Sequence, residues 1–244
     1  MLTAHENIAT ANATVLAELS PQQVVADFGC GNGVLLELIA PHVGQYVGVD
    51  FSEPFVRAAE HRRDARGIQN GRFTCADLVA FCAQNPQHFD VGFALDVSEH
   101  IYDDQFLRIF GAIHGALKPE GSLYVHTPNG EYFMERLRDW GLLRQIDGHV
   151  AVRDARRYQA LLAQCGFATV HVRDLAHYLY PASALHGLGA LPLVGRYFRA
   201  RLFLTCRKES SSSRTVSRTS GAVDWAAAGR AHSRRAPTGP HTSQ

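Results

Sequence analysis

The sequence predicts an α/β fold: a Rossmann-like, seven-stranded, mostly parallel sheet with helices on both faces and an antiparallel last strand. Three observations carry that reading. Short β-branched runs alternate with helical patterns along most of the chain. The first run ends in a glycine-rich corner, "ADFGCGNGVLLEL" at 26–38. The last two runs are joined by a Gly- and Pro-broken stretch in place of a clean crossover helix, which favours a final antiparallel pairing. A chain of 244 residues, 46% hydrophobic, suffices for one well-cored domain.

Strands are read in order at "QQVVADFG", "QYVGVDF", "GRFTCADL", "FDVGFALDV", "GSLYVHTP", "ATVHVRDL" and "RLFLTCRK". Helices are read at "GVLLELIAPH", "EPFVRAAEHRRDARG", "DDQFLRIFGAIHGAL" and "VRDARRYQALLAQCGF", where apolar residues recur at helical spacing. After Lys208 the composition turns to Ser, Arg, Gly and Pro without sustained period, so residues 1–208 are expected to form the domain and 209–244 a disordered tail. No internal repeat is visible.

Composition narrows the partners. The formal net charge is +1, and the tail holds five Arg against one Glu and one Asp, so the body sits near −2. Such a body lacks the basic footprint of a nucleic-acid binder, and no nucleic-acid partner is expected. The five cysteines, Cys30, Cys75, Cys82, Cys165 and Cys206, are odd in number and widely spaced, with no Cys-x-x-Cys pair and no His cluster at zinc-ligand spacing. They read as reduced thiols, and no metal site is expected. The first twenty residues show neither a basic n-region nor an apolar h-region, and no stretch is long enough to span a bilayer. A cytoplasmic protein is therefore expected.

The glycine corner differs from the dinucleotide fingerprint. Gly29, Gly31 and Gly33 give G-x-G-x-G, and Val34 stands where G-x-G-x-x-G would have its third glycine. Asp50 ends the next strand about twenty residues on, where a carboxylate accepts hydrogen bonds from both ribose hydroxyls. Phe51 is suited to lie on an adenine face, and Asp77-Leu78 ends the third strand with a carboxylate for an exocyclic amine. A nucleoside-bearing ligand fits this pattern.

From about Thr14 to Lys208, the ordered motifs "VVADFGCGNG", "VGVDFSEPFVRAAEHR", "CADL", "FDVGFALDVSEHI" and "ALKPEGSLYVHTPN" resemble those of the class I S-adenosylmethionine-dependent methyltransferases. The resemblance implies S-adenosylmethionine as cofactor. It implies that Asp27 and the backbone at Gly29 and Gly31 hold the methionine end and Asp50 the ribose. Phe51 and Leu78 would sandwich adenine, Asp77 would accept its amine, and the backbone near Leu95 would face the amino group. The course "SEHI … TPNGEYF … GHV … LLAQCGF" is most similar to the branch containing ubiquinone-biosynthesis O-methyltransferases.

Methyl transfer from a sulfonium needs alignment, exclusion of water and at times a base. The fold would bring His100, Tyr102, His126, Asn129, Tyr132 and His149 to the acceptor side, on loops beyond the carboxyl ends of strands four and five. His100 is the candidate catalytic base, an imidazole able to take a phenolic proton, with structural bonding as the alternative. The "DVSEHI" segment departs from the Asn/Asp-Pro-Pro-Tyr of amine-methylating enzymes acting on nucleic acids and protein glutamine, so the expected substrate is a small molecule, phenolic, quinone-like or lipid-like. N- or C-methylation is the near alternative. A nicotinamide-dependent oxidoreductase and a non-catalytic nucleoside-binding protein are the distant ones. The apolar stretch "ALHGLGALPLVG" at 184–195, followed by Arg196, Arg199 and Arg201, suggests either a lid over the cleft or a weak peripheral membrane contact. The sequence is silent on oligomeric state.

Overall fold

The computed structural model describes residues 15–176 and 182–210. The expected tail beyond Ser210 and the first fourteen residues lie outside the described residues. The strands are β1 (Val24–Phe28), β2 (Gln45–Asp50), β3 (Gly71–Cys75), β4 (Phe89–Leu95), β5 (Leu117–Pro128), β6 (Phe167–Leu175) and β7 (Arg201–Lys208). The helices are α1 (Val34–Ile39), α2 (Glu53–Ala65), α3 (Leu78–Gln84), α4 (Asp103–Ala116), α5 (Phe133–Asp139) and α6 (Ala155–Gln164).

The strands form one sheet in the order β3-β2-β1-β4-β5-β7-β6. β1 pairs in parallel with both β2 and β4, so the chain winds outward through β2 and β3 and then returns to the other side of β1. That reversal opens a crevice at the carboxyl ends of β1 and β4, where ligands of open α/β sheets bind. β7 inserts antiparallel between β5 and β6, as expected from the broken connection before it.

Both sheet faces are covered, which is why the central strands read as continuous apolar runs. Ala26 and Phe28 of β1 point to a core shared with Phe81 of α3, Phe106 and Phe110 of α4, and Tyr158 and Leu161 of α6. Val25 points the opposite way, toward Leu35, Leu36 and Ile39 of α1 and Tyr46 of β2. Period-2 alternation thus assigns each β1 side chain to one layer.

Some elements depart from their sequence-based bounds. α3 and α5 depart from the expected elements; each is only seven residues long, so its periodicity is faint. The Asp154 carboxylate accepts the Arg157 N–H at 2.8 Å and so starts α6 three residues after the expected "VRD" onset. β5 begins at Leu117, ahead of the expected Gly121, and its pairing with β4 shifts register between Phe89 and Val91. Among the described residues no helix is long and apolar enough to cross a membrane.

Gly33 precedes α1 with φ +73°, and a Cβ there would stand 2.7 Å from Ala59 Cβ and 2.9 Å from the Phe73 ring. The third glycine therefore serves close packing of the loop against α2 and β3, the role the dinucleotide fingerprint assigns one position later. Gly33→Ala should lower unfolding free energy by about 1–3 kcal/mol, from left-handed strain plus overpacking, as read by the urea midpoint.

Candidate active site

The glycine corner is held from below and from the side. Gly29 and Cys30 both donate their N–H groups to the Val49 carbonyl, at 2.8 and 3.1 Å. The Asp50 carboxylate accepts from Gly31 N–H through Oδ2 and from Ser52 N–H through Oδ1, each at 2.9 Å. One side chain thus ties the loop after β1 to the loop after β2. Its remaining lone pairs stay available for hydroxyl donors.

Gly29 and Gly31 have φ of +82° and +51°, a region that disfavours side chains. A Cβ on Gly29 would strike Val97 at 2.5 Å, whereas a Cβ on Gly31 would meet nothing within 4 Å. Gly31 thus presents bare backbone to open space beside a carboxylate. Phe51, next to that carboxylate, is 84% exposed, an unusual position for a phenyl ring without a covering partner. Backbone, carboxylate and exposed ring together match the methionine end, ribose and adenine of S-adenosylmethionine, so the residues present fit that group.

Asp27 lies buried beneath the corner, and Tyr46 donates its hydroxyl to Asp27 Oδ2 at 2.5 Å. Burial pushes its carboxyl up to about 7; the Tyr46 bond opposes this, and the charge of Asp50 reinforces it. Asp77 is exposed and caps α3, its Oδ1 accepting the Ala80 N–H at 2.9 Å. This cap explains an acidic residue at that strand end without any ligand. Leu78, the first residue of α3, is half-buried against the core, and Leu95, ending β4, is half-buried on the other face.

The acceptor side divides sharply. His100 and Tyr102 are exposed beyond the end of β4, and His149 is half-buried on the loop before α6. His126, Asn129 and Tyr132, expected on the acceptor side, are buried at the end of β5 and the start of α5. His126 Nδ1 lies 3.0 Å from Asp96 Oδ1, inside the sheet layer. Asn129 donates to the Arg199 carbonyl and accepts the Glu131 N–H, so both ends of its amide hold backbone. Tyr132 starts α5 and packs on Phe133. All three side chains lie against neighbouring protein groups.

His100 Nδ1 is 2.8 Å from the Gly148 carbonyl, an acceptor, so Nδ1 carries the proton and Nε2 keeps its lone pair. The turn that carries it, Ser98–His100, is clamped by residues that the sequence reading missed. Arg153 is buried and donates to the carbonyls of Ser98 at 2.7 Å, Ile101 at 2.7 Å and Ala151 at 3.0 Å, and to Asp103 Oδ1 at 2.6 Å. Its guanidinium also lies over the rings of Phe106 and Tyr158. Ser98, Thr127 and Tyr158 form a closed hydroxyl cluster beneath, with Thr127 donating to Glu99 Oε2 at 3.3 Å.

The segment before β7 turns inward. Arg199 binds Asp174 at 3.0 Å and the Gly189 carbonyl, and Arg201 binds Asp96 at 2.6 Å. All three arginines considered for head groups thus have partners within the protein, Arg196 lying 3.7 Å from Glu131, while Phe198 packs on Phe133 of α5.

A methyltransferase-domain family model matches residues 4–172 of the chain. This chain is a class I S-adenosylmethionine-dependent methyltransferase family member. Among curated relatives, it is 31% identical over 108 residues to the ubiquinone biosynthesis O-methyltransferase of Coxiella burnetii, covering 44% of each protein. The match thus spans under half the length of the curated relatives. Among solved structures, a SAM-dependent methyltransferase from Archaeoglobus fulgidus superposes with a TM-score of 0.64 at 14% identity, over 84% of this chain and 95% of that one. The phosphoethanolamine N-methyltransferase 2 of Haemonchus contortus, solved with phosphomonomethylethanolamine and S-adenosylhomocysteine, gives 0.61 at 18% identity, over 85% and 53%. These structural likenesses establish the fold.

Removing the Arg153 side chain orphans the buried Ser98 and Ile101 carbonyls. Arg153→Ala should cost about 1–3 kcal/mol per acceptor left unmade, read as a fall in the urea midpoint without change of slope.

Proposed function

We propose that the protein methylates an oxygen of a small phenolic, quinone-like or lipid-like molecule, using S-adenosylmethionine. The observation that carries the cofactor assignment is the open face of Gly31 between the Asp50 carboxylate and the exposed Phe51 ring. The acceptor class rests on the resemblance to the ubiquinone-biosynthesis branch and on the likeness to the Coxiella burnetii ubiquinone biosynthesis O-methyltransferase.

In this reading Asp27, Gly29 and Gly31 hold the methionine end, Asp50 the ribose hydroxyls, Phe51 and Leu78 the adenine faces and Asp77 the adenine amine, while the backbone near Leu95 faces the amino group. When bound, the cofactor supplies an electrophilic methyl group on a sulfonium. The chain's part is alignment and water exclusion, which replace the entropy cost of a bimolecular encounter. His100 offers a basic Nε2 beyond β4, held in that tautomer by Gly148, and takes the acceptor hydroxyl's proton. Tyr102 and His149 flank it. The segment over 185–199 serves as the lid, since Arg199 fastens its end inward to Asp174.

Isothermal titration with S-adenosylmethionine, S-adenosylhomocysteine and NADH tests the cofactor, and product mass after incubation with phenolic and amine acceptors tests the atom methylated. The expected result is binding of the first two ligands alone and O-methylated product; NADH binding alone, or N-methylated product alone, overturns the respective part. Asp50→Ala should weaken S-adenosylhomocysteine binding more than tenfold, about 1.4 kcal/mol. An Asp27 carboxyl with a pKa near 7 exchanges its proton for the cofactor's ammonium on binding. A group whose pKa falls on binding releases a proton, so affinity should rise with pH between about 6 and 8, and Asp27→Asn should flatten that rise.

A further inference from the structure

Glu99 and His100 are neighbours in sequence, and His149, on a distant segment, meets them at one point. One donor atom from each lies within 4.8 Å of the others. Backbone bonds hold the two segments together: Val150 and Ala151 N–H groups both donate to the Glu99 carbonyl, at 2.9 and 3.1 Å, and His100 Nδ1 bonds the Gly148 carbonyl. The juxtaposition is thus built into the chain and does not depend on the three side chains attracting one another.

The donors are prepared in three ways. The carbonyl bond at Nδ1 fixes the His100 tautomer and leaves Nε2 as a ligand atom, the arrangement that orients metal-bound imidazoles. The buried Nδ1 of His149 finds no hydrogen-bond partner among the described residues. Glu99 is 1% exposed and accepts from Thr127. A buried acid and a buried imidazole nitrogen facing one point are costly unless something cationic lies between them.

We propose that Glu99, His100 and His149 bind a divalent first-row transition-metal ion at the acceptor end of the cleft. Two imidazoles and a carboxylate suit Zn²⁺, Co²⁺, Mn²⁺ or Fe²⁺ and leave coordination positions open. Bonds of about 2.0–2.2 Å bring donors to about 3–3.5 Å from one another, so His149, on the loop before α6, draws in when the ion binds. Ion binding displaces any proton on Glu99 and takes the His100 lone pair. The open positions then hold an acceptor oxygen as its anion, the hydroxyl's proton passing to solvent, and the bound ion replaces His100 as the means of lowering the hydroxyl's pKa. This step rests on the proposed methylation; the site itself does not.

The test uses the full, untagged chain, stripped with EDTA and desalted. Zn²⁺ content after loading and gel filtration is measured by elemental analysis, and Co²⁺ loading is followed by its visible absorption. S-adenosylhomocysteine titration and thermal unfolding are run on each sample. The expected result is one ion per chain and tetrahedral or five-coordinate Co²⁺ bands, with at least tenfold weaker Co²⁺ binding in His149→Ala and in His100→Ala. Retained S-adenosylhomocysteine binding shows that the variants fold. A wild-type chain holding no ion, or variants holding as much as wild type, overturns the proposal. Because His149 lies on a loop, its variant stays informative even where Glu99→Gln fails to fold. Metal binding without S-adenosylhomocysteine binding upholds this site and overturns the cofactor reading; the reverse pattern does the opposite.

Discussion

The Asp50 carboxylate is the constraint on which the site depends. Three left-handed glycines within five residues have much conformational freedom to lose, and no side chain of their own to fix them. The loop keeps its shape because Asp50 accepts the Gly31 N–H with one oxygen and the Ser52 N–H with the other, while Val49 accepts from Gly29 and Cys30. All four bonds run from β1's loop or α2's start to the end of β2, so the parallel register Asp27 to Gly48 and Phe28 to Val49 places the corner. Any ligand of Asp50 therefore also reads the geometry of Gly31.

A second anchor, Arg153, does for the acceptor end what Asp50 does for the corner. It gathers the turn after β4, the first turn of α4 and the loop before α6 onto one buried guanidinium. A planar fork of donors suits this task, since lysine could satisfy fewer carbonyls in fixed directions. Because the same loop bonds the Glu99 carbonyl twice, His149 arrives beside His100 as a consequence of backbone accounting.

The strands and their order of appearance were legible because central strands covered on both faces are apolar throughout, as in "VVADF" and "FDVGFAL". The corner was legible because only a few ligands call for bare backbone followed by an acid at the next strand end. What the sequence concealed was direction. His126 stands one residue before Thr127 and three before Asn129 at the end of β5, and period-2 alternation plus the inserted β7 buries all three. Asp77 shows a second ambiguity: carboxylates at strand ends both bind ligands and cap helices, and a seven-residue helix leaves too little periodicity to reveal the cap. Arg153 and His149 were invisible as partners of the turn at Ser98–His100, because their contacts span about fifty residues.

The two ends of the crevice differ in charge, and that difference bears on which atom is methylated. At the cofactor end Asp27, Asp50 and Asp77 gather carboxylates, which favour a cationic, hydroxyl-bearing ligand. At the other end Asp96 is neutralised by Arg201 and lies against His126, leaving the imidazoles of His100 and His149 beside a carboxyl that resists ionising. Burial, with His100 nearby, also lowers the pKa of His149, so it favours the neutral form. A protonated amine finds no ready counter-charge there, whereas a hydroxyl finds either a lone pair to receive its proton or, on metal binding, a cation to hold its anion. Under the proposed reading, oxygen is favoured over nitrogen by this asymmetry and not by the glycine corner, which serves every acceptor alike.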